Sequence, residues 1–358
     1  VLGGMEAVIW TEVIQGILKT FGALLILYLI IDDMPGGVSK ILEISNSDNK
    51  FSLGSISPNF IESSFWVVLF YGFFINLNNF GMDQNYIQRY HTASTPKEAS
   101  KSLWLCVAIY VPASLLFFII GTSLYSYYMV HPLDIEGVKL QVAGERLGRL
   151  ATSAQVDQLA AALKPEDYGD KVMPHFMVTR LPTGALGLII SALLSAAMST
   201  ISSGMNASAT VFTVDIYKRY FKPGLSEKSN LLALHVGTVV FGLLGMGTGI
   251  AMIGVKSLLD IWWELSGIFA GGMLGLFLLG IISRQTKNHE ALTATIIGIV
   301  VILWMTLSTY LPVRYEFLRN PLHKNMVIVI GTLAIFLSGL VLTYTKRNLK
   351  QDLTPVEV

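Results

Sequence analysis

Apolar runs of about 20 residues or more recur eight times along the chain, near 6–31, 64–88, 102–128, 184–215, 230–253, 259–283, 290–311 and 325–345. A helix of that length crosses a hydrocarbon layer about 30 Å thick. It also satisfies its own backbone hydrogen bonds, as lipid requires. The pattern predicts an all-α polytopic membrane protein with eight transmembrane helices, a single membrane domain over 1–358. Two intervening segments are long, 32–63 and 129–183. The second reads as an extracellular or periplasmic loop able to cover an outward opening, with a short surface helix near Ser153–Leu163. Pro174-His175 and Pro182 mark its return to the membrane, and His175 reads as a surface residue rather than a ligand.

The fourth run departs from plain hydrocarbon. Ser199, Ser202, Ser203, Asn206 and Thr210 recur at steps of three and four, with Thr200 beside them. That spacing lines one face of a helix. Small hydroxyl residues often serve close helix packing in membranes. The same oxygens also suit a small hard cation, which prefers hydroxyl and carbonyl ligands.

Composition narrows the class. Apolar residues make up 53% of the chain and charged residues 14%, against about 25% charged in soluble proteins. A net charge of +1 gives no case for a nucleic-acid partner, and the lone Cys106 excludes a disulfide framework. Arg89, Lys97 and Lys101, then Lys218, Arg219, Lys222 and Lys228, then Arg284 and Lys287, then Lys346, Arg347 and Lys350 all fall on one side under strict alternation. That side is expected to be cytoplasmic, with both chain ends there, 348–358 forming a tail, and the protein in the cell membrane. The chain starts Val1-Leu2-Gly3-Gly4 at the mouth of a span without a methionine, as would a chain cut from something longer.

Charges inside spans are costly and so are candidates for function. The first span carries Glu12 and, two turns on along the same face, Lys19, whose side chains are expected to approach if Lys19 bends back. The second ends in Asn76, Asn78, Asn79, Asp83, Gln84, Asn85 and Tyr86, a density that predicts a broken helix or a cavity lining. The sixth carries Asp260, Trp262, Trp263 and Glu264, where interfacial anchoring is the plainer reading.

Four segments, GGMEAVIWTEVIQG (3–16), DQNYIQR (83–89), LPTGALGLIISALLSAAMSTISSGMN (181–206) and FTVDIYKR (212–219), together resemble the sodium:solute symporter family, most nearly its bacterial sialic acid and sugar branches. The family transports sugars, sialic acids, inositol, amino acids, vitamins and iodide. The resemblance implies a LeuT-type inverted-repeat fold, of which this chain would hold core helices 5 to 10 plus two more. About five helices, core helix 1 among them, would precede it and carry half of each site. The chain alone is then not expected to transport.

By the same resemblance, the main sodium site falls on Ser199 and Thr200 with the Ala196 carbonyl. A second sodium site falls on Glu12, Ser202 and Ser203. Glu12 stands where the family's motif has aspartate, which moves the carboxylate out by about 1 Å and puts that site in doubt. The solute side is expected among Asn79, Asp83, Gln84, Tyr86, Asp260, Trp263 and Glu264. Lys19 departs from the family's apolar residue. It opens proton coupling as an alternative, or pairing with an anionic solute, or neutralisation of Glu12.

The function implied is sodium-coupled symport of a small organic solute by alternating access, with Na+ as coupling ion, the bilayer as surroundings and no enzymatic step. A channel is disfavoured because no repeated filter-like loop occurs. A solute-sensing membrane module remains open, although QDLTPVEV after Lys350 leaves no room for a signalling domain.

Overall fold

The computed structural model describes residues 4–148, 151–224, 226–253, 255 and 258–351, with side chains from residue 10 onward except at 260, 264, 310 and 347–351. Among these, thirteen α-helices follow one another without a strand. They are α1 (Gly4–Asp33), α2 (Gly37–Ser47), α3 (Phe65–Met82), α4 (Gln84–Tyr90), α5 (Pro96–Val130), α6 (Pro132–Leu147), α7 (Ser153–Ala162), α8 (Pro165–Arg180), α9 (Thr183–Val211), α10 (Glu227–Ala251), α11 (Leu258–Ile282), α12 (Asn288–Leu307) and α13 (Met326–Gln351). The helix begun by α9 continues through ten π-helical residues, Phe212–Phe221. Eight helices are long and apolar enough to cross a membrane: α1, α3, α5 and α9 to α13.

These are the eight spans expected from the apolar runs, with some ends moved. The second stops at Met82, where Asp83 turns extended (φ −67°, ψ 125°) before the separate helix α4. The predicted break in that polar stretch is therefore present. The third span starts early, at Pro96, because Thr95 caps it by accepting from the Glu98 N–H.

The long segments hold more structure than the apolar pattern reveals. The expected helix in 129–183 is α7, but α6 and α8 flank it, and α2 occupies part of 32–63. Pro174 does not mark a turn; it lies inside α8. That helix is specified at its ends, with Pro165 at its start, Glu166 and Asp167 in its first turn and Arg180 in its last. Pro182 does stand at a boundary, immediately before α9. The proposed tail begins as the last turn of α13, and 352–358 lie outside the described residues.

The chain divides into two compact units, 1–52 with 91–256, and 53–90 with 257–358. In the first, α1, α2, α5, α6 and α8 close around Ile30, Ile120, Tyr127, Val138 and Phe176, all at most 1% exposed. Each such side chain contributes about 1.5–3 kcal/mol on burial. A polar knot pins this core. Tyr127 Oη donates to Asp134 Oδ2 at 2.8 Å, and Arg180 Nη2 donates to the same oxygen at 2.9 Å. Arg180 Nε also lies 3.5 Å from Asp33 Oδ2 at the end of α1. Burial pushes the Asp134 carboxyl up, but the Tyr127 and Arg180 hydrogen bonds and the Arg180 charge outweigh it and hold Asp134 below the usual carboxylate range.

In the second unit, α11 and α12 pack on α13 through Leu274, Leu279, Ile328 and Ile335, all at most 1% exposed. Close approach depends on Gly275, where a Cβ would come within 2.7 Å of the Thr332 carbonyl oxygen. Thr332 Oγ1 in turn donates to the Gly271 carbonyl at 3.2 Å.

Candidate functional site

In the first unit α1 and α9 lie antiparallel, and polar contacts mark their register. Ser199 Oγ donates to Glu12 Oε1 at 3.0 Å, and Gln15 Nε2 donates to Ser195 Oγ at 2.8 Å. Further along, Gly22 abuts Ile189, whose Cγ1 would lie 2.9 Å from a Cβ at that glycine. Residue number rises along one helix as it falls along the other, and the Arg180–Asp33 contact continues the order at the far end. Hydroxyl-to-carboxylate bonds are among the stronger neutral-donor contacts. Placed inside a span, the Glu12–Ser199 bond fixes which faces of the two helices meet.

The hydroxyl row on α9 lies where its spacing put it, on one helical face. Ser199 and Ser203 are half-buried, while Thr200, Ser202 and Asn206 are exposed in the described chain. Thr200 Oγ1 donates to the Ala196 carbonyl at 2.9 Å, and Ser202 Oγ to that of Met198 at 2.8 Å. A hydroxyl that donates backward along its own helix still has lone pairs free. A cation needs those lone pairs and not the proton. The three candidate main-site oxygens, from Ala196, Ser199 and Thr200, thus belong to one turn of α9, with the Glu12 carboxylate held against it. Among the described residues no three His, Cys, Asp or Glu side chains converge as a metal cluster. A set of mostly neutral oxygens with a single carboxylate favours a hard monovalent cation over a transition metal.

The register adds two things that spacing along one helix does not reveal. Glu12, grouped by sequence with Ser202 and Ser203, is bonded to Ser199, so it links the two candidate sodium sets. Gln15, buried, and Ser195, exposed, form a contact one turn away. Their only sequence signal is that Gln15 shares a face with Glu12 and Ser195 precedes Ser199 by one turn. The expected approach of Lys19 to Glu12 does not occur. Seven helical residues separate them by about 10 Å along the axis, and Lys19 makes no hydrogen bond or ion pair among the described residues.

A cavity of about 620 Å³ lies further along, beside the π-helical stretch, lined by Phe212, Val236, Val240, Phe241 and Leu244. Its walls are mostly apolar, with Thr213, Tyr217, Lys222 and Ser229 also on its lining, and a cationic Lys222 there does not suit a bare cation.

In the second unit four of the seven expected solute residues, Asn79, Asp83, Gln84 and Tyr86, lie at the α3–α4 break. Asp83 Oδ1 accepts from the Asn85 N–H at 2.8 Å and from Asn85 Nδ2 at 3.1 Å, so it caps the start of α4. Asn79 Oδ1 accepts from Asn78 Nδ2 at 3.4 Å. The Tyr86 ring packs on Phe80 with centroids 4.9 Å apart. Gln84, like these three, is half-buried. Trp263 on α11 meets the Tyr71 ring of α3 edge-on at 5.2 Å. Asp260 and Glu264 lie on α11 at positions whose side chains fall outside the described residues. In the linking helices, His175 Nδ1 is bonded to Tyr128 Oη at 2.9 Å, a structural contact away from the hydroxyl row.

Comparison with known proteins bears on the whole arrangement. A model of the sodium:solute symporter family matches residues 1–298. The sodium/sialic acid symporter NanT of Aliivibrio fischeri is 31% identical over 359 residues, covering 98% of this chain and 62% of its own length. The sodium/sialic acid symporter SiaT of Proteus mirabilis is 29% identical, covering 94% of this chain and 61% of its own length. A solved structure, described as the substrate-bound outward-open state of a Na+-coupled sialic acid symporter, is similar with a TM-score of 0.71 at 28% identity. It covers 96% of this chain and 63% of its own. The chain therefore spans about three fifths of the length of these relatives.

Proposed function

The chain belongs to the sodium:solute symporter family, and from that premise we propose that it forms the ion-binding part of a multi-pass secondary transporter that moves a small organic solute with sodium. The observation that carries the reading is the Glu12–Ser199 bond, which holds a carboxylate against the turn of α9 bearing Ala196, Ser199 and Thr200. Sodium is the coupling ion at that turn. A second sodium at Glu12, Ser202 and Ser203 would draw on the same carboxylate. The similarity to sialic acid symporters supports a solute of the sugar or sialic acid kind. Asn79, Asp83, Gln84, Tyr86, Asp260, Trp263 and Glu264 are the residues proposed to line its path.

The transport cycle is alternating access. Sodium at the α9 hydroxyls stabilises the conformation open to the outside, solute binds, and release of sodium inward frees the solute. One charge crossing 100 mV supplies roughly 2.3 kcal/mol, about 50-fold accumulation per ion. The lysine and arginine loops support a cytoplasmic location for both chain ends in a cell membrane.

The test is the melting temperature of the full-length transporter in detergent, in sodium against choline, without solute. A saturable, sodium-specific rise is expected, because a ligand of the folded state stabilises it by mass action. Identical curves in the two salts would sink the reading.

A further inference from the structure

Lys19 occupies a place in the α1–α9 seam that the ion site does not use. It lies near the middle of the membrane-length stretch Trp10–Asp33 and is half-buried. Among the described residues it makes no hydrogen bond and no ion pair. A charged side chain at that depth is costly and normally faces a partner or a polar cavity. Glu12 is not that partner, since its carboxylate accepts from Ser199 two turns away.

The register of the seam places Lys19 relative to the ion site. Gln15 meets Ser195 on one side of it, and Gly22 meets Ile189 on the other. Lys19 therefore falls opposite the stretch of α9 around Ala192, a buried residue whose methyl offers an ammonium no polar partner. The oxygens of Ala196, Ser199 and Thr200 lie level with Glu12 to Gln15, one to two turns away, or roughly 6–10 Å along the axis. Helical side chains tilt toward their own N-terminus, so the Lys19 ammonium leans toward that turn. An ammonium and a sodium ion so placed repel each other in a medium of low dielectric constant. An anion between them relieves both.

Resting on the sodium-site reading above, we propose that Lys19 is the counter-charge for the carboxylate of an acidic solute. The acid and sodium then bind more tightly together than either does alone. The solute class is thereby narrowed to organic acids, and uncharged sugars gain nothing from this position. The coupling is mutual: whatever factor the acid adds to sodium affinity, sodium adds to that of the acid.

The experiment titrates sodium against the melting temperature of the full-length transporter, for wild type, Lys19→Met and Lys19→Arg. Each is measured alone, with saturating sialic acid, and with glucose as the uncharged comparator. Sialic acid is expected to lower the wild-type sodium midpoint about tenfold, within the usual range of coupling between sites. Lys19→Met removes the repelling charge, so it should show a midpoint about tenfold lower without any solute and no further change with the acid. Lys19→Arg keeps the charge and should couple as wild type does. Equal sodium midpoints for wild type and Lys19→Met would overturn the proposal while leaving the sodium site standing. A wild-type midpoint lowered by glucose as much as by sialic acid would overturn it too. A wild type without any sodium response would remove the sodium-site reading, and this proposal with it. Unfolding of Lys19→Met is not expected, because the substitution removes from a span a charge that has no partner among the described residues; Lys19→Gln serves as the second neutral variant and should behave alike.

Discussion

Half of the apolar window of α13 is buried inside the described chain, against 11% of that of α9. The two helices are both apolar and membrane-length, so hydropathy does not separate them. What separates them is the use of their surfaces. α13 meets its neighbours through shape: Ile328 and Ile335 are fully buried, and Gly275 on α11 lets the Thr332 backbone come close. α9 meets α1 through a few polar bonds and the Gly22–Ile189 contact, and within the described chain it leaves Thr200, Ser202 and Asn206 uncovered. Close packing consumes the surface of a helix, whereas ion binding requires oxygen atoms that packing has left accessible. The contrast predicts that substitutions in α11–α13 act on stability and those on the α9 row act on sodium.

The largest effect should come from the packed side. Gly275→Leu forces a branched side chain to where even a Cβ would lie 2.7 Å from a backbone oxygen. Overpacking of that kind costs about 3 kcal/mol. The variant should melt well below wild type while the folded fraction keeps its sodium midpoint. A sodium midpoint displaced as far as the stability would break the division of labour between the two helices.

On the ion side, Ser199→Ala removes one of the two hydroxyls proposed as sodium ligands and the donor to Glu12. Sodium affinity should fall about tenfold to a hundredfold, or roughly 1.4–2.8 kcal/mol. In choline the melting temperature should move by no more than about 1 kcal/mol equivalent, since Glu12 has further interactions to hold it. Sodium titrations of the two proteins check both halves. An unchanged sodium midpoint would remove Ser199 from the site.

What the chain reveals before folding follows the same contrast. Spans are legible because lipid fixes their length and composition, and the α9 row because its period is that of a helix. The break at Asp83 is legible from polar density, but its cause is local: Asp83 caps α4, and a list of polar residues does not distinguish a cap from a ligand. The helices α2, α6 and α8 stay hidden because they are mixed in polarity and lack a membrane-length apolar run; Pro174 reads as a stop and sits within a helix. Glu12 with Ser199, and Gln15 with Ser195, depend on how α1 and α9 slide against each other, a quantity that neither helix encodes alone. For the same reason Lys19 and Glu12 look like partners along one helix and prove to be separate in the seam.

The smallest effect lies where α1 and α9 are joined at their other ends. Arg180, just before α9, bridges Asp134 of α6 and Asp33 of α1. These contacts are partly exposed, the Asp134 side chain at 31%, so solvent screens them and each contributes little. The sign of their pH dependence is nevertheless fixed. Asp134 is held below its ordinary value of 3.8 in the folded protein. The stability it contributes is therefore fully present above that value and is lost as the pH falls through its folded value. Asp134→Asn should lower the melting temperature by about 2 °C at most at neutral pH, and the gap from wild type should close on acidification below about pH 4. Glu145, also held low by its hydrogen bonds from Lys171 and Gln141, is present in both proteins and cancels in the difference. The sodium midpoint should stay put. Were Asp134→Asn to shift it, the Arg180 bridge would be setting the spacing of α1 and α9 at the ion site, and the seam would act as one lever over its whole length instead of as a site at one end and a fastening at the other.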